Sequence, residues 1–457
     1  MDGPQEALAA CLAEHASRGP RYTSYPPATE FGPIDSGVVA RELAAVTSSP
    51  NPISLYMHVP FCRSLCAYCG CNVIPTRDES RGDAYVDQLV TEMALVARRH
   101  VVSPVAEIAL GGGSPNFLPP RLLTRLVEAT ERYFPMLPGA RRSIELDPRT
   151  TTTAQLDTLA GLGFNSLSVG VQDFDERVQD AIRRHQSIVQ TKWIVERARH
   201  AGFDDVNIDM VYGLPRQTAQ SFATTLESVI ALAPDRVALF GYAHLPDKLP
   251  HQRIVERAGR ILDSYERATL FLLAVEHFEN AGYVQIGLDH FARADGKLAL
   301  AAREKRLTRT FQGYVEKRAE TVLGFGTSAI SCTPHMYWQN HTNLAAWEKD
   351  ITDQKLPVAR GCVLDVDDRA RRSLISTLMC NGEVDLEALG IEYGIDAESY
   401  FSTELAALSE QSDLASFRAS DHRITTTAMG KLLVRNVCML FDRYYVPEKT
   451  QRFSSTI

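Results

Sequence analysis

Six short apolar runs alternate with amphipathic stretches through the first half of the chain, and this alternation restricts the fold more than any other feature. The runs are Ile53–Val59, Val105–Leu110, Ser143–Leu146, Ser166–Val171, Asp205–Val211 and Arg236–Tyr242. Between them, apolar residues recurring at helical spacing predict helices over Ala84–Arg99, Pro119–Phe134, Thr153–Leu162, Val189–Ala201 and Ala219–Leu232. Pro119 and Pro120 suit a helix start, and Gly161, Gly163 and Gly202 suit helix ends. Tandem βα units predict an α/β fold with a parallel sheet, either doubly wound or curved into a barrel. Each run ends in polar or glycine residues: His58, Gly111 to Ser114, Glu145 with Asp147, Gln172-Asp173, Asp209 and Ala243-His244. Ligands bind at the carboxyl ends of parallel strands in both architectures. Six converging strand ends favour a partial parallel (β/α)6 barrel around one site.

The chemistry is announced by a cysteine cluster. Four of the nine cysteines fall in the ten residues from Cys62 to Cys71, and the others are dispersed. A buried helical stripe of small thiols is one reading, because 62, 66 and 69 share a helix face, but Pro60 and Gly70 leave room for barely two turns. A structural zinc site is a second, although such sites draw ligand pairs from two segments and no second pair exists. The third is an iron–sulfur cluster held by Cys62, Cys66 and Cys69, whose fourth iron has no protein thiolate. The three-glycine run Gly111-Gly112-Gly113 lacks the spacing of a P-loop or dinucleotide fingerprint, yet lets a backbone approach a ligand closely.

Composition mainly excludes. A net charge of −8 argues against whole-chain attraction to nucleic acid or anionic lipid. The uncharged stretch Thr321–Trp347 is too rich in His, Gln and Asn to span a membrane. The N-terminus carries no basic region of a secretory signal, so a cytoplasmic protein is expected, where clustered cysteines serve metals or redox chemistry. Four units are expected: an N-terminal extension over 1–50, the barrel core over 51–250, a barrel extension covering the substrate over 251–360, and a mostly helical, winged-helix-like domain over 361–457. A long helix is expected over Asp263–Ala281, followed by a basic stretch over Arg303–Arg318.

The C-x3-C-x2-C loop after the first strand resembles the signature of the radical S-adenosylmethionine superfamily. The resemblance implies a [4Fe–4S] cluster on Cys62, Cys66 and Cys69. It places S-adenosylmethionine against Tyr56, Tyr68, Gly112, Gly113, Ser114, Glu145, Gln172, Arg184, Asp209 and Ala243. The ordered motifs RYTSYPP, PFCRSLCAYCGCN, ALGGGSPNFL, SVGVQDFD, NIDMVYGLP, YAHLP, GLDHFARADG, FQGY and LLVRNVCMLFD are similar to those of the oxygen-independent coproporphyrinogen III oxidase family, from about residue 15 onward.

That likeness implies oxidative decarboxylation of two propionates of coproporphyrinogen III to vinyl groups by a 5′-deoxyadenosyl radical, giving protoporphyrinogen IX for heme. It implies a second S-adenosylmethionine near Ile330, catalytic parts for Cys71 and His58, a low-potential electron donor such as flavodoxin or ferredoxin, and a monomer. Ser114 keeps the hydroxyl of a more usual Thr, whereas Gly241 stands where the family often has Asn. Four substrate carboxylates call for a basic lining, with Arg21 and the Arg303–Arg318 stretch as candidates. A heme-carrying chaperone and a radical methyltransferase use related scaffolds; Cys71 and RYTSYPP speak for the oxidase rather than the chaperone.

Overall fold

The structure, a computed structural model, describes residues 3–98, 102–311, 313–316, 319–447 and 453–457. Helices α1 (Gly3–Glu14) and α2 (Ser36–Thr47) precede β1 (Ile53–Val59). The alternation then runs α3 (Ser80–Ala97), β2 (Val105–Gly112), α4 (Pro120–Tyr133), β3 (Met136–Leu146), α5 (Thr153–Gly161) and β4 (Ser166–Gln172). It continues with α6 (Glu176–Ile182), α7 (Ile188–Ala201), β5 (Asp205–Tyr212), α8 (Ala219–Ala231) and β6 (Arg236–Gly241). All six expected strands form, five of them within two residues of their apolar runs, whereas β3 begins at Met136, seven residues before the expected Ser143. Residue 99, the expected end of α3, lies outside the described residues. Helix α6 has no counterpart in the sequence reading, because seven residues barely cover two turns.

Strands β1 to β6 lie side by side in chain order, every pair parallel. A doubly wound sheet reverses its order at a switch point, and this one does not, so the curved barrel-type winding is the one adopted. The second half of the chain extends the sheet at both edges. After α9 (Ser264–Asn280), β7 (Tyr283–Gly287) and β8 (His290–Arg293) form a hairpin whose β8 pairs antiparallel with β6. A separate hairpin follows, β9 (Leu307–Thr310) with β10 (Gly313–Glu316). Strand β11 (Thr321–Phe325) pairs parallel with β1, and antiparallel β12 (Ile330–Cys332), β13 (Met336–Asn340) and β14 (Val358–Val363) complete twelve strands.

Strand periodicity sorts the two faces. Leu55, Met57, Ile108, Leu110, Leu167, Val169, Ile208 and Met210 pack outward against Leu89, Leu126, Leu156, Ile194, Leu226 and Phe271 of the helices. Burying each such side chain contributes about 1.5–3 kcal/mol. The alternate residues face inward, and they are polar. At the amino ends Arg141 bridges Glu107 and Asp205, and Arg236 pairs with the same Asp205 at 2.7 Å, forming a charged floor. The two arginines hold Asp205 far below the usual carboxylate range despite its burial. This paired floor occupies the amino ends, opposite the strand ends that carry the polar groups of the site.

A second core joins both chain ends. Leu12, Tyr22 and Tyr25 pack with Leu374, Leu378, Val437 and Phe441, the last residues lying on or beside α11 (Val366–Asn381) and α14 (Val434–Leu440). Between those helices are α12 (Leu386–Tyr393), α13 (Ser402–Ser409) and a three-stranded antiparallel sheet: β15 (Glu383–Asp385), β16 (Ala415–Arg418) and β17 (Arg423–Thr426). Helix α10 (Leu344–Thr352) covers α3.

Candidate active site

The cysteine loop is closed at its base by main-chain bonds. Ile74 N donates to Pro60 O at 2.7 Å and Thr76 N to Cys62 O at 2.8 Å. Inside, Ala67 N donates to Ile182 O at 2.8 Å, docking the loop on α6. Cys66 is buried against two guanidinium groups, with Arg184 Nη1 at 3.5 Å and Arg149 Nη2 at 3.6 Å from its sulfur. Cys62 Sγ lies 3.4 Å from the Ser114 hydroxyl, and burial pushes its thiol up to about 11. Cys69 is pulled down to about 6 by a hydrogen bond from Cys71, against burial, with His251 and Arg184 adding to the pull. That bond and burial raise Cys71 in turn, so the pair shares its charge on Cys69.

These residues suit an anionic cluster. Cys62, Cys66 and Cys69 come from a single loop, the spacing of a three-thiolate cluster, and cationic Arg184 and Arg149 stand behind Cys66. Arg184 is 6% exposed, yet among the described residues its Nε has no hydrogen-bond partner. Burial alone would weaken the hold of Arg184 on its proton; Tyr68, Asp147 and Cys66 outweigh it.

The strand ends below the loop carry the remaining groups. Tyr56 and His58 project from β1; Tyr56 Oη lies 3.2 Å from His58 Nδ1, and His58 Nε2 donates to Asn72 O at 3.1 Å. Those contacts fix the neutral tautomer with its proton on Nε2. Burial lowers His58 to about 4, so it stays neutral at physiological pH. Gly112 at the end of β2 has φ +116° and passes so close to this ring that a Cβ would sit 2.6 Å from it. Its N–H donates to Glu145 at 3.1 Å. Glu145 is raised to about 7 by burial, then by Asp209. Asp209 accepts from Ser168 at 2.8 Å and Asn207 at 2.7 Å. Glu145 and Cys71 remain solvent-accessible although strands and loops surround them, as groups lining an open barrel mouth must.

Contacts link several of the expected residues to one another. Arg184 Nη2 donates to Gly170 O at 2.6 Å beside Gln172, which adopts φ +70°. Tyr68 and Ala243 are linked by a residue the sequence reading missed: Gln252, fully buried, donates to the Tyr68 carbonyl at 2.9 Å and the Ala243 carbonyl at 3.1 Å. His251 Nε2 likewise donates to Cys69 O at 2.8 Å. Neither carries a sequence signal, since both stand on a short segment beyond the last βα unit. Arg149 is a further residue that the sequence reading misses, standing just past the Glu145 to Pro148 strand end and paired with Asp147 at 2.6 Å. Ile330 lies on β12, two strands from β1. The basic stretch is mostly exposed, with Arg303, Lys305 and Arg306 at the surface and Arg306 paired with Glu304 and Glu316, and Arg309 alone of its described basic residues is buried. Its Gln312, Lys317 and Arg318 lie outside the described residues.

A parallel sheet wound in chain order, with three loop thiols over its carboxyl ends, defines the class of radical S-adenosylmethionine proteins, and the family model described as Radical SAM superfamily matches residues 56–229. The likeness to particular relatives runs much further. A Pseudomonas aeruginosa protein is 40% identical over 451 residues, covering 96% of each chain. One from Escherichia coli K12 is 38% identical over 453 residues, covering 98% of each, and both are named oxygen-independent coproporphyrinogen III oxidase. A solved Escherichia coli coproporphyrinogen III oxidase, described as a radical SAM enzyme, superposes with a TM-score of 0.87 at 38% identity, over 93% of this chain and 98% of that one. The chain belongs to the oxygen-independent coproporphyrinogen III oxidase family.

Proposed function

We propose that the protein catalyses oxygen-independent oxidative decarboxylation of coproporphyrinogen III to protoporphyrinogen IX, with a [4Fe–4S] cluster and S-adenosylmethionine as cofactors. The observation that carries this reading is likeness along the whole chain, both hydrophobic cores included, rather than over the βα units alone. Each of two propionates loses one hydrogen atom, CO2 and one electron and becomes a vinyl group. No acid–base side chain abstracts hydrogen from such an unactivated carbon; the bound cofactors supply that radical chemistry.

The residues supply place and polarity. Cys62, Cys66 and Cys69 hold the cluster, and Arg184 and Arg149 balance its charge. Gly112, Gly113 and Ser114 offer main-chain and hydroxyl groups, and Glu145 offers a carboxylate, to the amino-acid end of S-adenosylmethionine. Gln172, Asp209, Tyr56, Tyr68 and Ala243 line the remainder, with Gln252 setting the spacing between Tyr68 and Ala243. The charged floor and the helix layer keep bulk water from the reacting carbon. Cys71 and His58 stand next to the thiolate ligands, where neutral His58 anchors the returning loop through Asn72. Ile330 serves a second S-adenosylmethionine, and the electron comes from a low-potential donor such as flavodoxin or ferredoxin to a monomeric enzyme. No helix among the described residues is long and apolar enough to cross a membrane.

The test is anaerobic incubation of cluster-replete protein with coproporphyrinogen III, S-adenosylmethionine and a strong reductant. Protoporphyrinogen IX is expected, with one CO2 released per vinyl group formed. Absence of any vinyl product despite full iron content refutes the assignment.

A further inference from the structure

Beside the end of β6, three arginines from distant parts of the chain surround one acid. Asp289, between β7 and β8, accepts from Arg21, accepts from His290 Nδ1 at 2.8 Å, and lies 3.7 Å from Arg309 Nη1. Arg435 on α14 is 2% exposed and has no acid partner in this cluster. It donates instead to main-chain carbonyls: Pro20 at 2.9 Å, Ser455 at 2.7 Å, and Gly19. Arg309, 7% exposed, donates from Nε to Arg21 O at 3.0 Å, and among the described residues its Nη1 has no hydrogen-bond partner.

The arrangement has a direction. Arg435 grips the two residues before Arg21, and Arg309 grips the carbonyl of Arg21 itself, so two buried cations hold the segment that presents a third. Only Arg21 reaches outward, its side chain 29% exposed and its guanidinium 5.4 Å from the centre of the Phe240 ring. Phe240 stands three residues before Ala243, at the mouth described above. Arg21 and Arg309 share the one carboxylate while Arg435 is held by main-chain carbonyls, so the cluster carries more positive than negative charge in a low-dielectric setting, a balance that an anion would restore. The adjoining cavity, lined by Arg21, Asp289, Arg435, Tyr212 and Gly241, has a free volume of about 20 Å³. That space takes a water-sized group, not a ring. Gly241 leaves it open, since a Cβ there would lie 3.0 Å from both the Tyr212 hydroxyl and Arg267 Nη2.

We propose that Arg21, held by Arg309 and Arg435, binds one propionate carboxylate of the tetrapyrrole substrate, a single carboxylate oxygen reaching the water-sized cavity beside Asp289 while the ring stays at the barrel mouth. The inference rests on the coproporphyrinogen reading for the identity of the ligand. An Arg–carboxylate pair is charge-assisted and bidentate, and Lys reproduces its charge but not its fork.

The test uses cluster-replete wild type, Arg21→Gln and Arg21→Lys. Binding of coproporphyrin III is followed by tryptophan quenching, and turnover of coproporphyrinogen III gives kcat and KM. Arg21→Gln is expected to weaken coproporphyrin binding and raise KM by about tenfold to a hundredfold, and Arg21→Lys to fall between, with iron content and substrate-free S-adenosylmethionine cleavage unchanged. Affinity and KM within twofold of wild type in the variants overturn the assignment. If Arg21→Gln does not fold, Arg21→Lys decides on the same criterion. Failure of wild type to turn over substrate while binding coproporphyrin in an Arg21-dependent way would overturn the activity and leave the site standing.

Discussion

Gly112→Ala probes the contact on which the site geometry depends most directly. Its φ of +116° is one that an L-residue adopts only under strain, costing about 1–2 kcal/mol. The new methyl carbon would fall 2.6 Å from the His58 ring. That ring cannot swing aside freely, because Nε2 is bonded to Asn72 O at 3.1 Å and Tyr56 Oη lies 3.2 Å from Nδ1. Relieving such an overlap costs about 1–3 kcal/mol, against about 0.4–1 kcal/mol recovered from a stiffer unfolded chain. The net is a destabilisation of about 1–4.5 kcal/mol, and the displaced His58 releases the returning end of the cysteine loop. Gly70, between Cys69 and Cys71, is the internal control: nothing lies within 4 Å of a Cβ built there, and its φ is not in the left-handed range. Anaerobic denaturant titration of the apoproteins measures the first effect, and iron per chain after reconstitution measures the second. Gly112→Ala should lose both stability and iron, and Gly70→Ala neither. Equal behaviour of the two variants would refute the argument, because it would mean that loop composition rather than the His58 contact controls cluster assembly.

Three further outcomes follow from the same geometry. Cys71→Ser should retain full iron content and lose most turnover; wild-type turnover with an intact cluster removes Cys71 from the reaction. Burial lowers His58 from its usual 6.5 to about 4, so the unfolded chain binds the extra proton more readily. His58 therefore contributes up to about 3 kcal/mol above pH 6.5, and this is lost as pH falls towards 4. Comparing denaturation midpoints of wild type and His58→Gln across that window should show a steeper acid loss in wild type; parallel profiles contradict it. Glu92 on α3, 3% exposed, accepts from Asn340 at 2.6 Å, Gly326 N at 2.8 Å and Trp347 at 3.2 Å. Glu92→Ala strands three buried donors and should cost about 3–5 kcal/mol by denaturant titration; a loss below about 1 kcal/mol shows that water replaces the carboxylate.

Local regularities carried much of the fold and site. The period-two runs yield β1 to β6 because each strand must bury one apolar face against its own helix, a requirement written over seven or eight residues. The cysteine spacing is legible for the same reason, since three ligands on one loop need no distant partner. The edge strands were harder. Strand β11 joins β1 across more than 260 residues of chain and β8 joins β6 through a hairpin, and short runs such as Ile330–Cys332 carry no period of their own.

Residue order alone dictates the βα succession, the three-cysteine loop after the first strand and the polar groups that the strand ends carry. Which distant residues complete the site was decided only in three dimensions. Gln252 spans Tyr68 and Ala243, and Arg149 stands behind Cys66. Arg309, within a stretch that reads as a solvated basic run, is buried where it fixes Arg21. The physical reason is one of range: strand and helix periodicity follow from neighbours a few residues apart, whereas a buried charge acquires its meaning from whichever acids, carbonyls and cavities the tertiary packing brings within a few ångströms.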